Sequence, residues 1–226
     1  MRKKEVLMKI VKLEKSLTEQ AYDILLDKIC TGELASGERL NQDELANQLS
    51  VSRQPINSAI SILKSNGFVE ETGRRGVIVS PINLDHFNSI YEFRSAIEPF
   101  AIQLAFKRMP KTANLEAAQA MERGWSAVKS GDLKEQIAAD FNFHQMIYNW
   151  TKNSTLIAAM NTNWFHIRRA IGLVVNTSIP AEQSWVEHER ILNAMMIGEL
   201  KLSEAEMESH LKRAKDATLD LLTDQI

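Results

Sequence analysis

The chain has 226 residues, 44% of them hydrophobic, enough to bury one large core or two modest ones. Twenty-seven Lys and Arg against 29 Asp and Glu leave a formal charge of −2, which excludes a protein that coats nucleic acid through bulk positive charge but permits a local basic patch. A lone cysteine, Cys30, excludes an intramolecular disulfide. No apolar run is long enough to cross a bilayer and the opening residues do not form a signal-peptide core, so a soluble, cytoplasmic protein without membrane partners is expected.

Residues 1–16 read as an N-terminal extension. Ser16 followed by Glu19 is a capping box that opens a helix with Leu17, Ala21, Ile24, Leu25 and Ile29 on one face. Asn41 with Glu44 opens a short helix over 42–49. After the turn Ser50-Val51-Ser52, a third helix runs over 53–65, with Pro55 in its first turn and Gly67 just past its end. Residues 68–71, a glycine-bearing turn, and Val77-Ile78-Val79 form a hairpin. Three helices and a two-stranded ribbon are the layout of a winged helix-turn-helix over 17–80.

Pro81 stops the last strand and Asn83 caps the next helix, so 81–83 reads as a linker. From there to 226 the helical period dominates. About six helices are expected, over 84–109, 113–130, 133–150, 154–174, 181–198 and 203–224, joined by short loops in an antiparallel bundle. The fold class is thus mainly α, a winged helix followed by an all-α domain over 84–226.

A helix-turn-helix reads DNA with the exposed face of its second helix. In the helix over 53–65, Ile56, Ala59, Ile60 and Leu63 face inward, while Arg53, Gln54, Asn57 and Lys64 face outward. Arginine bridges guanine or phosphate and Gln or Asn pairs with adenine, so these are candidate DNA contacts. Arg74 and Arg75 at the hairpin tip are candidates for phosphate or minor groove. Periodicity alone leaves open a merely solvated helix.

Asp140 and His144 lie one turn apart on an inward helix face, and His188 and His210 sit on two other apolar stripes. A buried carboxylate and three imidazoles all need polar partners, and convergence on one divalent cation answers all four needs. Three His and one Asp suit zinc first, with nickel, manganese or iron as alternatives. Four separately satisfied core residues are the other reading of the same pattern. His86 reads as exposed, and His166 as part of a packed aromatic stripe.

The run Gly32 to Leu40, Asp43-Glu44-Leu45-Ala46, Ser52-Arg53-Gln54-Pro55-Ile56 and Gly67-Phe68-Val69 with Gly73-Arg74-Arg75-Gly76-Val77 resembles the winged-helix domain of the GntR regulators. One departure matters: the family's usual Arg-Glu pair is replaced by Asn57-Ser58. The lost arginine is ordinarily a DNA contact, so the resemblance does not imply the family's usual operator; it does carry Arg53 over. Tyr91-Glu92-Phe93-Arg94 with Ile97-Glu98-Pro99, Asp140 to His144, Glu187 to Leu192 and His210-Leu211 resemble the FCD ligand-binding domain of the family's FadR branch. That resemblance implies a metal held by Asp140, His144, His188 and His210, with Arg94 facing the effector pocket. A helix salt bridge from Arg94 to Glu98 is the other reading.

The expected protein is therefore a ligand-responsive transcription regulator and not an enzyme. It binds a double-stranded operator as a homodimer, since a pseudo-palindromic site needs two recognition helices, and its effector is a small carboxylate or sugar acid. Two rivals are a metal-dependent hydrolase, weakened by the absence of a general base, and a DNA-binding sensor of the metal itself.

Overall fold

The computed structural model describes residues 15–73, 76–174 and 181–223. The chain divides into two compact units. One comprises residues up to Lys28 with Gly37–Ser80, and the other Ile29–Ser36 with Pro81 onward.

The first unit holds α1 (Leu17–Cys30) as far as Lys28, with α2 (Gln42–Gln48), α3 (Arg53–Ser65), β1 (Val69–Glu71) and β2 (Val77–Val79). The capping box is present: Ser16 N donates to Glu19 Oε2 at 2.7 Å and Glu19 N to Ser16 Oγ at 3.2 Å. The inward face of α1 differs from the periodicity reading. Ala21, Leu25 and Ile29 are buried, joined by Leu26 and Cys30, but Leu17 and Ile24 are 56% and 39% exposed. The buried stripe has slipped by part of a turn, because a 14-residue helix offers several overlapping i, i+4 stripes and only its neighbours choose among them.

Asn41 caps α2 by accepting from the amides of Asp43 and Glu44. Between α2 and α3, Ser50 adopts φ 54°, the left-handed conformation that lets Val51 N reach back to Ala46 O at 3.0 Å and close the turn. β1 and β2 pair antiparallel with Val69 opposite Val79 and Glu71 opposite Val77. The hairpin has a companion that its sequence does not announce: Gly37 N donates to Val79 O, Val79 N to Glu38 O and Leu40 N to Val77 O, each at 2.9 Å. Arg74 and Arg75 lie outside the described residues.

The second unit contains α4 (Leu84–Arg108), α5 (Ala113–Ser130), α6 (Leu133–Trp150), α7 (Ser154–Val174), α8 (Ala181–Met196) and α9 (Leu200–Thr223). Consecutive pairs α5–α6, α6–α7 and α8–α9 pack on each other across loops of a few residues, so each pair is antiparallel. α4 packs against α6, α7 and α9, and its buried residues run from Phe87 through Ile102 to Ala105 on more than one side, as a central helix requires. Pro99 lies inside α4, buried, where it cannot donate to the carbonyl four residues back.

The last two helices end differently from the sequence reading. Gly198, at φ 90°, stops α8 two residues early, and α9 begins at Leu200, three residues before the expected start, with the Ser203 hydroxyl bonding back to Glu199 O at 2.9 Å. Phe143, Ile147, Trp150, Trp185, Ile191 and Met195 form the main core. Gly124 of α5 lies flush with Trp185, whose ring atoms would stand 2.1 Å from an added Cβ. Among the described residues no helix is long and apolar enough to cross a membrane.

Candidate metal centre and nucleic-acid interface

Three helices of the second unit aim polar groups at one point. α6 supplies Asp140 and His144, one turn apart; α8 supplies His188 and α9 supplies His210. One ring nitrogen from each of the three histidines lies within 4.8 Å of the others, and all three side chains are buried. His188 Nε2 is 3.3 Å from His210 Nε2 and 3.5 Å from Asp140 Oδ1. A tetrahedral centre with bonds of ~2 Å has ligand edges of about 3.3 Å, so this spacing suits a small transition-metal ion. Asp140 is 23% exposed and sits at the rim of the cluster.

The cluster is held from behind by two carboxylates. His144 Nδ1 donates to Glu98 Oε2 of α4 at 2.8 Å, and His210 Nδ1 to Glu187 Oε2 of α8 at 2.8 Å. Burial works to raise the Glu98 carboxyl, but Arg94 and His144 outweigh it and hold Glu98 far below the usual range. Burial likewise opposes, and His210 and Arg213 overcome, to keep Glu187 low. An ionised carboxylate only accepts, so each Nδ1 carries a proton, and in the neutral ring the other nitrogen, Nε2, presents a lone pair to the centre.

His188 differs. Its ring stacks on Phe143 at 3.7 Å, and its buried Nδ1 has no hydrogen-bond partner among the described residues. Burial, and then repulsion from His210 and His144, push His188 well below its ordinary value; burial also lowers His210, against the pull of Glu187. Neutral imidazoles with inward lone pairs are the form in which histidine binds metals. The donor set fits such an ion.

Arg94 realises the salt bridge that the i, i+4 spacing allows. Its Nε donates to Glu98 Oε1, while Nη2 reaches within 3.5 Å of His144 Nε2, and the guanidinium stacks 5.0 Å over Tyr91 and 5.5 Å over Trp164. It also borders a cavity of about 90 Å³ next to the cluster, walled in part by Tyr91, Asp140, His144, His210 and Arg213. His166 meets the exposed His86 edge-on at 4.7 Å and takes no part in that wall.

Sequence reasoning weighs Glu98 only as a partner for Arg94, and overlooks Glu187 and Arg213. Arg213 has a readable signal, three residues after His210 on the same helix. Glu187 has none, since it adjoins His188 in sequence but serves His210.

In the first unit, Ile56, Ala59, Ile60 and Leu63 of α3 are buried, while Arg53, Gln54, Asn57 and Lys64 are exposed. Arg53 Nε pairs with Asp43 Oδ1 at 2.9 Å and Lys64 Nζ with Glu71 Oε1 at 2.8 Å. Exposed pairs of this kind contribute ~0–1 kcal/mol, so either cation is cheaply released to a phosphate. Ser52, at the N-cap of α3, makes no side-chain cap bond, so the first amides of the helix are not capped by it.

A winged helix with an exposed polar reading helix, carried on the same chain as a bundle enclosing a histidine cluster, defines the class: a DNA-binding transcription regulator. The family model "Bacterial regulatory proteins, gntR family" matches residues 17–79, and the FCD domain model matches residues 89–213. The chain belongs to the GntR family of bacterial regulatory proteins, with an FCD domain as its C-terminal part. It is 25% identical over 203 residues to a probable D-xylose utilization operon transcriptional repressor of Paenarthrobacter nicotinovorans, covering 90% of this chain and 89% of that one. It is 28% identical over 217 residues to the HTH-type transcriptional regulator LutR of Bacillus subtilis (strain 168), covering 83% and 94%. The solved structure of E. coli McbR/YncC superimposes with a TM-score of 0.80 at 20% identity, over 92% of this chain and 99% of that chain, and shares the fold. The family and these relatives are regulators of transcription, not enzymes.

Proposed function

We propose that this regulator holds a divalent metal ion, zinc first among the choices, at His144, His188, His210 and Asp140, and that a small carboxylate or sugar acid bound beside it controls DNA affinity. One observation carries the reading: three buried imidazoles turn Nε2 toward one point, and two of them are locked in that tautomer by buried or half-buried carboxylates. The ion supplies positive charge and open coordination positions for an oxyanion. Arg94 adds a guanidinium at the cavity wall, where an incoming carboxylate competes with Glu98 for it.

The chain binds its operator as a homodimer through Arg53, Gln54, Asn57 and Lys64, with Arg74 and Arg75 on phosphate or minor groove. Its domains are a DNA reader over 17–80, a linker over 81–83 and the ligand domain over 84–226. Effector binding shifts the helices of the ligand domain and so changes how the two readers are held.

The test is operator affinity at fixed salt for the metal-free chain, the metal-loaded chain, and the metal-loaded chain with a panel of small acids, with metal content measured alongside. The expected outcome is a change in affinity only when acid joins metal. A full response to metal alone makes the ion itself the signal, and absence of stoichiometric metal in the purified chain rejects the centre.

A further inference from the structure

The cavity wall carries a near-symmetry that the proposed function does not use. Two three-residue relays reach the cavity: Arg94–Glu98–His144 and Arg213–Glu187–His210. In each, one carboxylate oxygen accepts from an imidazole Nδ1 and the other from an arginine Nε. Each arginine meets its carboxylate through Nε and makes one further contact through Nη2, leaving Nη1 and the second Nη2 hydrogen as a fork of donors for a carboxylate.

The two forks differ in setting. Arg94 is 2% exposed, its Nη2 beside His144 Nε2. Arg213 is 21% exposed, and its Nη2 donates to Ser184 Oγ at 2.9 Å. Ser184 also lines the cavity, so its own hydroxyl hydrogen is available to a ligand oxygen. Ile137 and Ala214 contribute apolar wall suited to a short carbon chain.

We infer that Arg213, with Ser184, is a second anion-holding point of the cavity, and that the ligand is a small dicarboxylic acid with one carboxylate at each arginine. A monocarboxylate sits at Arg94 and leaves the Arg213 fork to water. Size sets the class: a cavity of about 90 Å³ is smaller than the ~150 Å³ void that admits benzene, which limits the ligand to roughly three or four carbons.

This inference rests on the carboxylate reading of the same cavity, and the test separates the two. Malate and 2-hydroxybutyrate have the same carbon count and the same hydroxyl, and differ by one carboxylate. Calorimetric titration of the full chain as purified, with its metal content measured, is expected to show malate binding ~10- to 100-fold the tighter, the value of one charge-assisted contact. In Arg213→Lys and Arg213→Gln the ratio of the two affinities collapses toward one. Ser184→Ala, which leaves the Arg213–Glu187 pair in place, lowers the same ratio severalfold and serves if the arginine variants fold poorly. Equal binding of the two acids by the unaltered chain overturns the inference and leaves the carboxylate reading standing. An unchanged ratio in all three variants also overturns it, and reduces Arg213 to a support for Glu187. Failure of both acids to bind removes the carboxylate reading and this inference together.

Discussion

Glu98 shows how much one side chain does when it is buried among opposite charges. It is 0% exposed, accepts from Arg94 and from His144, and stays ionised because those two partners outweigh its desolvation. Removing one partner of a buried ion pair strands the other, at a cost of about 3–5 kcal/mol. Glu98→Gln is therefore expected to lose about that much stability in urea unfolding, and about 10- to 100-fold in metal affinity, the usual effect of losing the acceptor behind a histidine ligand. Pairing it with Arg94→Met removes the stranded cation, so the double variant should be more stable than Glu98→Gln alone; an additive loss would show that the pair is not coupled.

At the scale of helices, the packing of α5 on α8 turns on Gly124. Helix propensity predicts that Gly124→Ala in the middle of α5 stabilises by ~1 kcal/mol. The ring of Trp185 lies where the new methyl would sit, and Trp185 in turn meets His188 edge-on at 4.9 Å. Overpacking of this kind costs ~1–3 kcal/mol, so net destabilisation is expected, with a measurable loss of metal affinity as His188 is displaced. A rise in the thermal midpoint for Gly124→Ala would contradict the close approach of the two helices. Periodicity alone could place a glycine in α5 but could not say why it is there, because the partner lies in a helix far along the chain.

For the whole molecule, the proposed metal centre and the buried histidines predict a stability that depends on metal and on pH. An ion bound by the native state and not by the unfolded chain stabilises by mass action, so chelation should lower the thermal midpoint. In the chelated chain the sign with pH comes from the lowered values of His188 and His210. Unfolded histidines take up protons near pH 6.5 while these two, native, stay neutral to lower pH, so below that point the unfolded state binds more protons. Their neutral burial thus costs nothing above about pH 7 and destabilises progressively as pH falls through 6.5. Urea midpoints at pH 7.5 and 5.5 check this; an equal or higher midpoint at 5.5 would refute it. Much of this architecture was legible in the chain itself. Local signals suffice for the capping box at Ser16, the buried face of α3 and the start of α4 at Asn83, because caps and helical periods are written within a few residues. The four candidate metal ligands were legible too, through inward faces and a family resemblance. What only the tertiary structure decided lies between distant segments: which stripe of α1 is buried, that Gly37–Leu40 joins the hairpin, and that Glu187 backs His210 in place of its neighbour His188. Sequence specifies what each side chain offers, but pairing across helices depends on rotation and approach set by the whole core, and no local pattern encodes those.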